Sequence, residues 1–166
     1  MMNKKTPFDR VVTDHGNTVL RVCLAVLSSL SDAEDAWSET FIAALRAYPE
    51  LDENANLEAW LVTIAHRKAL DVLRSRSRRA VPVGDVPEPI RAPLATIEPG
   101  QEIWEDVASL PPKQRQVIAY RFIAGLSYGE IANIIGGTPE AARRASSDGI
   151  AALRAQLTSS CLGQQS

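Results

Sequence analysis

The chain is poor in the residues that carry metal and nucleophilic chemistry. Its 166 residues include two cysteines, Cys23 and Cys161, and two histidines, His15 and His66. The cysteines are too far apart in sequence to suggest a disulfide framework or a metal cluster. Cys23 falls in an apolar run and is expected in a core, Cys161 in a polar stretch and is expected at the surface. Both suit a reducing cytoplasm. Neither histidine has a cysteine or second histidine at ligand spacing, so no metal site is expected. No segment is long and apolar enough to span a membrane. Asp9, Arg10 and Asp14 interrupt the sequence after Lys4 and Lys5, so no signal peptide is expected either. No phosphate-binding loop occurs, and Gly125 to Gly129 lacks the strand-to-helix context of a dinucleotide fingerprint. Strand alternation and internal repeats are also missing. These absences argue against a disulfide scaffold, a metalloprotein and an integral membrane protein. They leave no catalytic constellation, so neither enzyme activity nor a cofactor is expected.

What is present is charge arranged in blocks. The net charge is −2. Residues 1–60 hold five basic and ten acidic side chains, residues 61–80 six and one, residues 81–112 one and six, and residues 113–166 six and three. A protein that meets DNA in two places and a protein partner elsewhere would have such a pattern, because an electrostatic footprint depends on local clustering. Solvated helix faces would produce it as well.

The apolar fraction of 45% is ordinary for a globular chain. Its periodicity predicts an all-α fold of two small helical domains. A first helix over residues 8–29 aligns Val11, Val12, His15, Val19, Val22, Cys23, Val26 and Leu27. Ser31-Asp32-Ala33-Glu34 reads as a capping box opening a second helix, whose apolar face is Ala36, Trp37, Thr40, Phe41, Ala44 and Leu45. That helix stops before Pro49. Residues 49–56 form a polar loop, and a third helix covers 57–79 with Trp60, Leu61, Ile64, Ala65, Leu70 and Leu73 as its stripe. Its end is dense in cations: Arg67, Lys68, Arg74, Arg76, Arg78 and Arg79. Each cation that meets a phosphate would release counterions. Asn54 and Asn56 in the loop could bond base edges and Tyr48 could stack on a base. On composition alone, ordinary loop chemistry is the favoured account of the asparagines, and helix capping explains the carboxylates around Asp32 at least as well.

Pro82, Pro87, Pro89, Pro93 and Pro99 mark a linker over residues 81–101. The expected domains are therefore 1–80 and 102–158, with a disordered tail over 159–166. The second domain should hold helices over 103–109 and 113–124 and a core of Val107, Leu110, Val117, Ile118, Phe122, Leu126, Ile131, Ile135 and Leu153. Its most specific segment follows. Ser127 and Glu130 form a capping box, and Ile131, Ala132, Ile134 and Ile135 supply an apolar face. Gly136-Gly137 makes a turn, and Thr138-Pro139 starts the next helix. Arg143 and Arg144 lie near that helix's N-terminal end. This is the layout of a helix-turn-helix, whose second helix enters the major groove. A plain helical hairpin would share the local chemistry.

Asp32-Ala33-Glu34-Asp35-Ala36-Trp37-Ser38-Glu39-Thr40-Phe41 resembles region two of bacterial RNA polymerase sigma factors, as does the run Trp60 to Arg74. Leu110-Pro111-Pro112-Lys113-Gln114-Arg115 and Gly125 to Ala132 resemble region four. The motifs come in the order of the two-domain extracytoplasmic-function group and cover roughly residues 8–79 and 102–157.

The resemblance implies a transcription initiation factor with no catalysis of its own, directing core polymerase to specific promoters. Asp32, Glu34, Asp35, Glu39 and Thr40 would bind the clamp helices of the largest subunit. The second domain would meet the beta flap. Asn54, Asn56, Arg67, Lys68, Arg74 and Arg78 would capture and help melt the minus-ten element, holding an extruded base in the 49–56 loop. Thr138, Glu140, Arg143, Arg144 and Ser147 would meet the minus-thirty-five duplex. Promoter DNA and core polymerase are thus the implied partners, with an anti-sigma factor as a further candidate and no membrane insertion. The alternative is a stand-alone helix-turn-helix regulator. The chain departs from the family pattern at Ser38, where glutamine is usual, and at His66-Arg67, where Arg-Asn is usual. Ala145, Asp148 and Ile150 stand where the family often has basic residues, so Arg143 and Arg144 would carry more of the contact.

Overall fold

The computed structural model describes residues 5–79 and 101–163. Residue contacts divide the chain into two compact units, Met1–Ala92 and Pro93–Ser166. The described residues are helical apart from their connections, without strands. The expected linker lies outside the described residues except for Gln101, which opens a helix.

In the first unit, α1 (Phe8–Leu27), α2 (Leu30–Ala47) and α3 (Leu57–Arg79) all pack on one another. Pro7 precedes α1, where a missing N–H costs nothing. α1 ends on Ser28, whose N–H still bonds Leu24 O while its left-handed φ of 56° turns the following chain out of the helix. Ser29 then caps α2, its Oγ accepting the Asp32 N–H at 3.3 Å. The cap is therefore Ser29, two residues before the expected Ser31. A connection this short needs a left-handed residue followed at once by an extended cap, which places Ser31 inside the helix. α2 tightens into a 3-10 turn at Tyr48–Glu50. Asn56 starts α3, with Oδ1 accepting the Ala59 N–H at 3.2 Å.

The core of this unit combines Val11, Val19, Val22, Cys23, Val26, Phe41, Leu61 and Val62 with fully buried alanines, namely Ala25, Ala33, Ala36, Ala44, Ala65 and Ala69. Burial pushes the Cys23 thiol up to about 12, so it stays protonated and unreactive. Leu45 and Leu73, expected in the core, are 55% and 37% exposed. Alanines occupy the contact positions instead, and the leucines sit off the buried ridge.

In the second unit, α4 (Gln101–Ala108), α5 (Pro112–Ile118), α6 (Tyr128–Ile135) and α7 (Pro139–Gly163) enclose a smaller core of Val107, Leu110, Val117, Ile118, Tyr120, Leu126 and Ile131. The half-buried Arg115 donates from Nη1 to Ala108 O at 3.2 Å and to Leu110 O at 3.4 Å. It thus supplies donors where α4 runs out of them. After α5 the chain widens into a π turn at Ala119–Ile123 instead of continuing as an α-helix. That turn buries Tyr120 and leaves Phe122, an expected core residue, 59% exposed. α7 continues to Gly163, so residues 159–163 of the expected disordered tail are helical, and residues 164–166 lie outside the described set.

α7 packs on α5 and α6 through Ala142, Ala145, Ser146 and Gly149. The spacing of these residues makes one narrow stripe. A Cβ at Gly149 would run into Ile118 Cδ1. Overpacking costs roughly 1–3 kcal/mol, against about 1 kcal/mol of helix propensity gained by replacing glycine. Gly149→Ala should therefore lower stability in the native background. It should raise stability when added to Ile118→Val, which lacks the obstructing methyl. Urea denaturation of the four proteins checks this, and a neutral or stabilising Gly149→Ala in the native background would refute the close approach.

Candidate nucleic-acid interface

The segment from Ser127 onward forms two helices joined by a tight turn. Ser127 Oγ accepts the Glu130 N–H at 3.1 Å, and Glu130 Oε2 accepts the Ser127 N–H at 2.9 Å, completing the reciprocal box. Gly136 and Gly137 adopt φ of 98° and 92°, a region costly for any side chain. Thr138 Oγ1 accepts the Ala141 N–H at 3.1 Å and starts α7.

On α7 the buried stripe fixes the opposite face as exposed. Glu140, Arg143, Arg144, Ser147 and Asp148 all lie there. Of the three positions lacking the family's usual cations, Ala145 is buried and Ile150 half-buried. Only Asp148 is presented to solvent. Thr138 is exposed, but its hydroxyl oxygen is used as the cap.

Tyr128 organises this end of the unit, which the sequence did not reveal. The guanidinium carbons of Arg121 and Arg143 lie 4.8 and 5.4 Å from its ring centroid. Its hydroxyl is 3.2 Å from the buried Ser146 Oγ. Arg121 also donates from Nη1 to Leu126 O at 3.0 Å. A cation over an exposed ring gains about 0.5–1 kcal/mol, enough to bias the Arg143 rotamer before any ligand arrives. No spacing rule links Arg121, Tyr128 and Arg143, because three separate segments carry them.

In the first unit the candidate residues divide. Arg67, Arg74 and Arg78 on α3 are exposed, and Lys68 is half-buried. Arg74 Nη1 stands 3.8 Å from Asp71 Oδ1, both side chains largely exposed. Asn54 is exposed, its backbone N–H held by Asp52 Oδ1 at 3.0 Å. Asn56 has its side-chain oxygen committed to capping α3. Tyr48 is not a free stacking platform. Lys5 lies over its ring at 4.5 Å, and the Phe8 and Trp60 rings lie 5.4 and 6.3 Å away. A hollow of about 190 Å³ lies between Lys5-Thr6 and the loop, bounded by Tyr48, Leu51, Asp52, Glu53, Ala55 and Leu57.

The acidic helix also divides. Glu34, Asp35 and Glu39 are exposed, and the face continues through Ile42 and Leu45, both solvent-facing. Thr40 is completely buried and its hydroxyl donates to Ala36 O at 2.6 Å, so it acts inside the fold rather than on a surface. Asp32 is mostly buried and turns toward α3, with Arg76 Nε 2.9 Å from its Oδ2. The pair is ionic without an aligned hydrogen bond, which leaves Oδ2 short of a donor. Ile42 and Leu45 were detectable in principle, since steps of three and four from Asp35 and Ser38 reach them. Among the described residues no group of three potential ligands could hold a metal, and no helix is long and apolar enough to cross a membrane.

The exposed faces and the turn geometry define an all-α protein with a helix-turn-helix in its second unit. Residues 11–79 match the family profile "Sigma-70 region 2" and residues 107–155 match "Sigma-70, region 4". The chain is 32% identical over 137 residues to the ECF RNA polymerase sigma factor BldN of Streptomyces coelicolor, covering 78% of this chain and 52% of BldN. It is 27% identical over 152 residues to the ECF RNA polymerase sigma factor SigW of Bacillus subtilis, covering 79% of this chain and 80% of SigW. The sigma factor RpoE of Bartonella quintana, solved in complex with the anti-sigma factor NepR, shares the fold with a TM-score of 0.72 at 22% identity, over 91% of this chain and 96% of that one. The chain belongs to the sigma-70 family and sits among its extracytoplasmic-function members. It spans about half the length of curated relatives such as BldN.

His66, one of the departures from the family pattern, is buried in α3. Burial holds its pKa below the ordinary 6.5. The unfolded chain therefore takes up this proton at higher pH than the folded one. The stability held by neutral His66 is complete above about pH 6.5 and is lost as pH falls through the folded value. His66→Gln should flatten the decline in unfolding free energy between about pH 7.5 and 5, measured by urea denaturation. An unchanged slope would show that His66 is not neutral in the fold.

Proposed function

We propose that this chain is a transcription initiation factor that binds bacterial core RNA polymerase, directs it to specific promoters and assists their melting. One observation carries the reading. A helix-turn-helix exposes Arg143, Arg144 and Ser147 in one unit, while the other unit exposes carboxylates on α2 and cations on α3. The factor acts by binding, without catalysis of its own or a cofactor, in the cytoplasm beside the polymerase.

Residues 1–80 hold the polymerase and minus-ten contacts, residues 81–101 link, and residues 102–158 meet the minus-thirty-five duplex and the beta flap. Glu34, Asp35 and Glu39, with Ile42 and Leu45 beside them, suit the clamp helices. Such an interface pairs an apolar centre with a charged rim. Arg67, Lys68, Arg74 and Arg78 follow the phosphates, and Asn54 and Asn56 set the base preference of the loop. An anti-sigma factor is a further partner of this reading, supported by the RpoE complex.

Transcription with purified core polymerase on a randomised promoter library is the direct test. A stand-alone regulator would instead bind promoter duplex tightly without polymerase and support no initiation. Asp35→Arg with Glu39→Arg should lower core affinity by roughly tenfold or more while helical circular dichroism is retained. Normal core binding by that variant would remove α2 from the interface.

Arginine pairs bidentately with guanine for about 1–3 kcal/mol of discrimination. Arg143→Ala and Arg144→Ala should each reduce transcription from minus-thirty-five promoters, and at least one should relax sequence preference in the library. If both variants match the native protein in strength and preference, α7 does not read DNA.

A further inference from the structure

The segment ahead of α1 is tied to the far end of α2. Lys5 Nζ donates to Leu51 O at 2.7 Å and to Tyr48 O, with Pro49 O at 3.5 Å. Its ammonium also lies 4.5 Å from the Tyr48 ring centroid. The tie is reciprocal, because the Tyr48 hydroxyl donates to Thr6 O. These carbonyls sit where α2 unwinds into the loop, at the negative end of the helix dipole, and the Tyr48 carbonyl also accepts the Leu51 N–H at 3.1 Å. The stretch from residue 49 to 56 carries Glu50, Asp52 and Glu53 and no basic residue. Lys5 brings a cation to it.

We infer that Lys5 is a positioning residue for the 49–56 loop, setting the loop's shape and through it the base preference of the minus-ten contact. This rests on the proposed reading that the loop meets the melted strand. Lys5 has three N–H donors, and its position over three carbonyls and a ring turns them into the fold. A lysine used in this way shapes a loop without neutralising a phosphate. Loop order then depends on a residue more than forty positions away in sequence, and the hollow between Lys5 and the loop keeps its outline only while that tie holds.

The test uses the full chain carrying Lys5→Gln, Lys5→Arg, or Asn54→Ala with Asn56→Ala. Amide exchange at Leu51, Asn54 and Ala55 should accelerate in Lys5→Gln on the order of tenfold, the loss of one charge-assisted hydrogen bond. Exchange at the core amides should stay unchanged. With core polymerase and a library randomised at the minus-ten element, Lys5→Gln should lose preference at the bases that the asparagine variant also flattens. Lys5→Arg, which keeps a cation with several donors, should restore both exchange and preference. The salt dependence of promoter binding should not move, whereas a phosphate-contacting lysine would reduce its slope by about one. A reduced slope, or native exchange and preference in Lys5→Gln beside an altered asparagine variant, would overturn the positioning role and leave the loop reading standing. If neither variant alters base preference, the loop reading fails and the inference falls with it.

Discussion

Both units depend on helix backbones approaching closely across small side chains. α1, α2 and α3 each bring completely buried alanines to their shared core, and α7 meets its neighbours through Ala142, Ala145 and Gly149. Interiors are packed to crystal-like density, so an added methyl at such a crossing must displace an axis or a neighbour. Bulky residues fill the remaining space: Phe41 and Leu61 in one core, Tyr120 and Ile131 in the other. Fixing the axes through one face of each helix leaves the opposite face free of packing duties. Glu34, Asp35 and Glu39 of α2, Arg67, Arg74 and Arg78 of α3, and Arg143 and Arg144 of α7 lie on faces left open in this way.

Charge is sorted further within the fold. Asp32 belongs by sequence to the acidic cluster, yet Arg76 takes its carboxylate and ties the start of α2 to the basic end of α3. Arg115 serves the carbonyls at the end of α4. Arg121 and Arg143 share one aromatic ring. The net charge of −2 therefore says little about what a partner meets. What it meets are the charges that the fold has not already paired or packed.

Local grammar made much of this legible in the sequence. The Ser127–Glu130 box, the Gly136-Gly137 turn and the Thr138-Pro139 start lie within thirteen residues, and each acts on its immediate neighbours. The extent of α3 followed from its apolar stripe, and the buried and exposed placements of the two cysteines from the apolar or polar character of the residues around them. The errors arose where backbone geometry or packing partners decide. Ser29 and Ser31 both precede an acidic residue by three, and the left-handed Ser28 settles which one caps. Alanine gives a weak hydrophobic signal, so Leu45 and Leu73 were read as core where smaller neighbours do the packing, and the π turn that buries Tyr120 turns Phe122 outward. Thr40 was read both as part of the apolar face and as a surface contact, and only the first fits its burial. The partners of Asp32, Tyr48 and Tyr128 come from other segments, which no spacing in the sequence specifies.

The two thiols differ in a way that makes α7 a built-in ruler. Cys23 is sealed in the core with its thiol held protonated, while Cys161 is exposed on the last turns of a single helix that begins at Pro139. A maleimide dye added to the native chain would therefore attach at one place without any cysteine being removed. At about 1.5 Å per residue it would ride roughly 27 Å along the same rigid rod from Arg143. The helix that exposes the arginines thus carries at its other end a single accessible handle, from which a fluorescent label would report the environment of their face.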